Sequence, residues 1–170
     1  SRMESEFKTQ VLEWKNTLLR GEDSRKRELH WNAFQASEKR VADAAKALEP
    51  QLTDAQEKAA LQKFTQAHAQ MAQGYRKGFE VFQSLGFVPS AGDADVADID
   101  QGPAKLLTEL SQQVAASSAA IAQEAAQDAR RALFSSLVAL ALVTALGACA
   151  GWLLTLSLIH ISEPTRQEAI

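Results

Sequence analysis

The sequence predicts an all-α fold: an antiparallel four-helix bundle whose fourth helix is continuous into a transmembrane helix. Three observations carry this. Only 8 Gly and 4 Pro in 170 residues leave too few turn formers for a hairpin-rich β protein. Apolar residues recur at three- and four-residue spacing in four successive segments. Residues 1–131 carry 17 basic and 19 acidic side chains, whereas 132–155 (ALFSSLVALALVTALGACAGWLLT) carry none. Those 24 residues make a helix of about 36 Å at ~1.5 Å per residue, enough for a bilayer core of about 30 Å. The domains follow: a soluble bundle over 1–131 and a membrane helix over 132–155.

In helix one, Phe7, Val11, Trp14 and Leu18 line one face, and Gly21 is a natural helix stop. Asp23 or Ser24 can cap helix two, whose seam is Trp31, Phe34, Glu38, Val41, Ala45 and Leu48. Pro50 ends it. Thr53 and Gln56 form a capping box for helix three. Its seam is Leu61, Phe64, His68, Met71, Tyr75, Gly78, Phe82 and Leu85, and Gly86 stops it. Residues 86–102 form the one long loop, with four Asp. Pro103 fits the first turn of helix four, which carries Leu107, Leu110, Val114, Ser117, Ile121 and Glu124. No break separates helix four from the membrane span. Arg130 and Arg131 are placed to snorkel at one membrane surface, and Trp152 sits near the other end of the span.

Composition excludes several functions. A net charge of −3 with no Lys/Arg-rich stripe argues against nucleic-acid binding. One cysteine excludes a disulfide framework, a Cys-based zinc cluster and covalent haem attachment. His30 and His68 lie on different helices without ligand partners at helical spacing, and His68 reads as a core histidine. No G-x-S-x-G elbow is present. The Asp cluster 93, 95, 98 and 100 lacks the spacing and closing Glu of a calcium loop. The expectation is a protein with no metal, no cofactor and no catalytic set.

Two groups read as candidate ligand-binding residues. Asn16 and Arg20 are four apart on one helical face, next to Lys15. Cationic and amide donors at the edge of a seam can grip a small anionic or polar ligand, and a solvated charged face is the competing reading. The second group is Gly74-Tyr75-Arg76-Lys77-Gly78. Two glycines inside a helix cost about 1 kcal/mol each against Ala, which points to close approach by another element or a ligand. Tyr75 falls on the seam, and Arg76 can reach an acidic group, with the Asp-rich loop as the expected partner.

The stretches FKTQVLEWKNTLLRGED (7–23), AHAQMAQGYRKGFEVF (67–82) and AGDADVADIDQGPAKLL (91–107) resemble the extracytoplasmic sensor region of bacterial methyl-accepting chemotaxis proteins. GWLLT (151–155) is similar to the end of the second membrane span in such receptors, before the HAMP linker. The resemblance covers about residues 3–155. It implies a ligand-sensing fragment in the bacterial inner membrane, with the bundle facing the periplasm. It further implies a homodimer in which helix one lies near the two-fold axis, and coupling to cytoplasmic kinase-control machinery through a missing output domain. Related sensors also sit on histidine kinases and diguanylate cyclases, so the output stays open. A membrane-anchored structural coiled coil is the alternative from another class. The chain opens inside a helix, so a first membrane span is expected upstream of Ser1. Residues 156–166 (LSLIHISEPTR) resemble an in-frame translation of a sequencing adapter, and 156–170 are expected to be a non-native tail.

Overall fold

A computed structural model describes residues 2–161, with side chains through Ser157. The elements are α1 (Arg2–Leu19), α2 (Ser24–Leu48), a 3₁₀ turn (Glu49–Gln51), α3 (Ala55–Ser84), α4 (Pro89–Asp93) and α5 (Gln101–Ile161). No strand occurs among the described residues, and the all-α class holds. One compact unit extends to Ser117 and a second begins at Ser118.

Side-chain pairs fix the course of the first unit. Glu13 meets His30 and Glu6 meets Arg40, so α2 runs antiparallel to α1. Phe7 packs on Phe64 and Trp14 on Tyr75, so α3 runs parallel to α1. Met3 lines a cleft with Leu110 and Val114, and Val11 lines another with Ala104, so α5 returns antiparallel to α1. The chain therefore goes up, down, up and down around a core of Trp14, Phe34, Phe64, Tyr75, Phe82, Leu107 and Leu110.

The seam of α1 differs from the apolar spacing. Met3, Phe7, Gln10, Trp14 and Thr17 are buried, with Leu18 beside them, whereas Val11 is only half-buried. Their spacing is four, three, four, three, a heptad-like stripe that a purely apolar reading breaks at Gln10 and Thr17. The buried hydroxyls are satisfied: Thr17 Oγ1 donates to the Glu13 carbonyl at 2.7 Å, and Ser37 Oγ accepts from Arg40 Nη2 at 2.8 Å.

The helix ends bring further corrections. Of the two expected caps of α2, Asp23 is the one used, accepting from the Arg25 and Lys26 amides. Asp54, not Thr53, caps α3, its Oδ1 accepting from the Gln56 and Glu57 amides at 2.7 and 3.0 Å. A cap reaches the second and third helical amides, so the expected capping box is offset by one residue. Gly21 is not left-handed, since Gly86 (φ 71°) is the glycine of positive φ among the described residues. It is small because a Cβ there would lie 2.5 Å from the Phe82 ring. Leu85, placed on the α3 seam, lies past the end of the core and is exposed.

The expected loop 86–102 contains α4 and a series of turns, and it straps across α3. Phe87, at φ 65°, holds an unfavourable left-handed conformation. Its ring packs edge-on against Phe82, and the Arg27 guanidinium lies 3.5 Å over it. A Cβ at Gly78 would lie 2.9 Å from the Gly92 carbonyl and 3.1 Å from Val96, and one at Gly74 would collide with Ile99. The two helical glycines thus admit the strap.

In the second unit every described side chain from Ser118 to Ser157 is exposed. α5 is long and apolar enough to cross a membrane. The stretch read as adapter-derived continues helical through Ile161 and lies outside the described residues from 162 onward.

Candidate functional site

Lys15 and Asn16 project from the last turns of α1, and Arg20 follows directly after its end. Lys15 and Arg20 are exposed and Asn16 is half-buried. Lys15 lines a cleft of about 350 Å³ with Leu18, Leu19, Pro89, Ser90 and Asp93. α1 supplies the apolar floor and α4 the opposite wall. The cleft holds one cation and one carboxylate, which suits a polar ligand with both charges, or an anion held mainly by Lys15. Asn16 and Arg20 do not line that cleft.

Tyr75 and Arg76 lie elsewhere. Tyr75 is buried, its ring 4.9 Å from Trp14 and 5.5 Å from Phe34. Burial pushes the phenol well above its ordinary value, and the negative charges of Asp100 and Asp93 add to this, so it stays neutral. Arg76 does not reach the Asp-rich loop. Its Nη2 donates to both Glu38 carboxylate oxygens, at 2.8 and 2.7 Å, and ties α3 to α2. Glu38 sits one turn along α2 from Phe34, close to the arginine, while the aspartates face the other side of α3. The structure thus does not bring the two groups into one site.

A buried polar layer escapes any apolar pattern. His68 Nε2 donates to Gln10 Oε1 at 2.7 Å, and the ring stacks on Phe64 and meets Phe7 at a tilt. Burial pushes the imidazole below its ordinary value, with Glu38 pulling weakly the other way. Gln10 Nε2 and Trp14 Nε1 are buried without a hydrogen-bond partner among the described residues. Such groups cost stability, so the middle of α1 is packed at a penalty. His68 on its seam was the one signal of this layer in the sequence.

These helices and clefts gain a context from comparison. The chain is 29% identical over 156 residues to the methyl-accepting chemotaxis protein CtpH of Pseudomonas aeruginosa, with 91% of the chain covered. The chain is similar to a chemoreceptor. It spans about a quarter of that relative's length, 27%. No protein-family model matches the chain, and no solved structure matches it. The similarity supports a relationship to methyl-accepting chemotaxis proteins.

Proposed function

We propose that this chain is the ligand-sensing and membrane-crossing part of a transmembrane chemoreceptor, a sensor without catalytic activity. The observation that carries the reading is α5. A single helix holds the core residues Leu107 and Leu110 and also the uncharged stretch 132–155. In this reading, displacing its first turns against α1 displaces the membrane segment. Shifts of about 1–2 Å are the usual scale of such switching.

In this reading two copies pair along α1 in the inner membrane, with the bundles in the periplasm. A small anionic or polar ligand engages Lys15, Asn16 and Arg20 between them. Binding favours one position of α5, and the bias passes through the lipid bilayer to a cytoplasmic kinase-control module. The similarity over most of the chain supports the receptor class.

The test is a thermal-shift screen of the full chain in lipid nanodiscs against organic acids, amino acids and inorganic anions. A ligand at 100 times its dissociation constant adds about 2.7 kcal/mol. Arg20→Ala should abolish that shift while moving the unliganded melting point little, since exposed substitutions change stability by about 0.5 kcal/mol or less. A screen without a stabilising compound, or a shift that survives Arg20→Ala, contradicts the proposal.

A further inference from the structure

A second cleft of the first unit lies at the opposite end of the bundle from Lys15. It has a volume of about 660 Å³ and opens between α1, α2 and α5. That size falls within the range of about 300–1,000 Å³ typical of small-molecule sites. Met3, Leu48, Leu110 and Val114 give it an apolar floor, and α2 keeps it open with alanines, Ala44 and Ala47. Two cations stand at its rim. Arg2 is exposed, and Arg40 is spanned by Glu6 at its Nε (2.7 Å) and Ser37 at its Nη2 (2.8 Å), which leaves Nη1 for a further acceptor. The acid at the rim, Asp43, is engaged by Lys39 at 2.6 Å. An apolar trough with Arg2 and the open Nη1 of the Glu6-paired Arg40 at its edge calls for an amphiphile with one anionic end.

We infer that this cleft binds a medium-chain aliphatic monocarboxylate, the alkyl chain lying on Leu48, Leu110 and Val114 and the carboxylate on Arg40 and Arg2. The chain supplies affinity, because each methylene removed from water strengthens binding about fourfold. The carboxylate supplies orientation through a charge-assisted bond to a planar guanidinium. The site does not depend on Lys15, Asn16 or Arg20.

The test uses the full chain in nanodiscs, with empty nanodiscs subtracted. Binding of octanoate, hexanoate and octylammonium is measured by titration calorimetry. A diazirine-bearing octanoate maps the labelled peptides by mass spectrometry. Octanoate should bind saturably, roughly fifteenfold tighter than hexanoate, and octylammonium should not bind. Label should fall within 40–51 and 110–115. Ala47→Phe fills the trough from an exposed position and should weaken octanoate binding at least tenfold with the melting point unchanged. Arg40→Gln should weaken it by a similar factor. Arg20→Ala should leave it unchanged, so failure of this site and failure of the proposed sensor site are separable. The inference is overturned if Ala47→Phe binds octanoate as the parent does, if octylammonium binds equally well, or if label spreads along α5. A change of oligomeric state in Ala47→Phe would overturn it too, since it would show that a second copy occupies the cleft.

Discussion

The two ends of the bundle are built differently. At the end where α1 meets the strap, Trp14, Trp31, Phe34, Tyr75, Phe79, Phe82 and Phe87 form a continuous aromatic cluster. Trp31 and Phe79 stack at 4.0 Å, and Gly78 and Gly92 let the strap close onto α3 beside Trp14 and Phe82. At the other end, alanines face a cleft, a histidine hydrogen-bonds a glutamine, and α5 is held chiefly by Leu107 and Leu110. One end stores the stability. The other leaves α5 few apolar contacts to break, which suits the proposed movement of that helix.

The sharpest break of this comparison is Trp14→Ala, which removes the ring shared by Trp31, Phe34 and Tyr75. A loss of about 3–5 kcal/mol is expected in denaturant melts. Val114→Ala at the open end should cost far less, since that side chain is only half-buried. Equal losses would erase the distinction between the ends.

The glycines come next. Gly78→Ala puts a methyl against the Gly92 carbonyl, which is backbone and cannot rotate away. Overpacking of this kind costs about 1–3 kcal/mol, more than the ~1 kcal/mol of helix propensity gained. Gly74→Ala meets only the end of the Ile99 side chain, which can turn, so its stability should stay near the parent's. Melting both variants separates a close approach to backbone from a close approach to a flexible tip.

The His68 layer makes the open end sensitive to acid. The folded protein holds the imidazole below its ordinary value of 6.5. Below pH 6.5 the unfolded chain therefore binds a proton that the folded chain resists, and stability falls as the pH drops. His68→Gln should flatten the melting-temperature profile between pH 7.5 and 5, measured by circular dichroism. The Arg76–Glu38 pair should matter least. Both partners are partly exposed, and a double-mutant cycle should return about 1 kcal/mol or less.

Much of this was legible beforehand, for reasons visible in particular residues. The α3 seam from Leu61 to Phe82 is apolar apart from His68 and keeps its heptad spacing, so it reads directly. The uncharged run 132–155 announces α5 by length alone. The α1 seam was harder, because Gln10 and Thr17 are polar yet fully buried, and their hydrogen bonds depend on helix neighbours that spacing does not reveal. α4 was hidden in a loop rich in turn formers, since five residues carry no period. Lys15, Asn16 and Arg20 lie on the surface where donors were expected, but which cleft each faces depends on α4, and only Lys15 meets it. Arg76 found Glu38 because a long side chain takes the nearest carboxylate on a packed neighbour, a choice made by tertiary structure.

The central claim is that a ligand moves α5 against α1. Lys8 and Thr108 line one cleft between these helices. In a Cys149→Ser background, Lys8→Cys and Thr108→Cys place a pair of thiols across it. The rate of disulfide formation in nanodiscs is measured with and without the compound giving the largest thermal shift in the anion and amino-acid screen. A displacement of about 1–2 Å predicts a rate change of severalfold that Arg20→Ala removes. An unchanged rate with saturating compound would contradict the account.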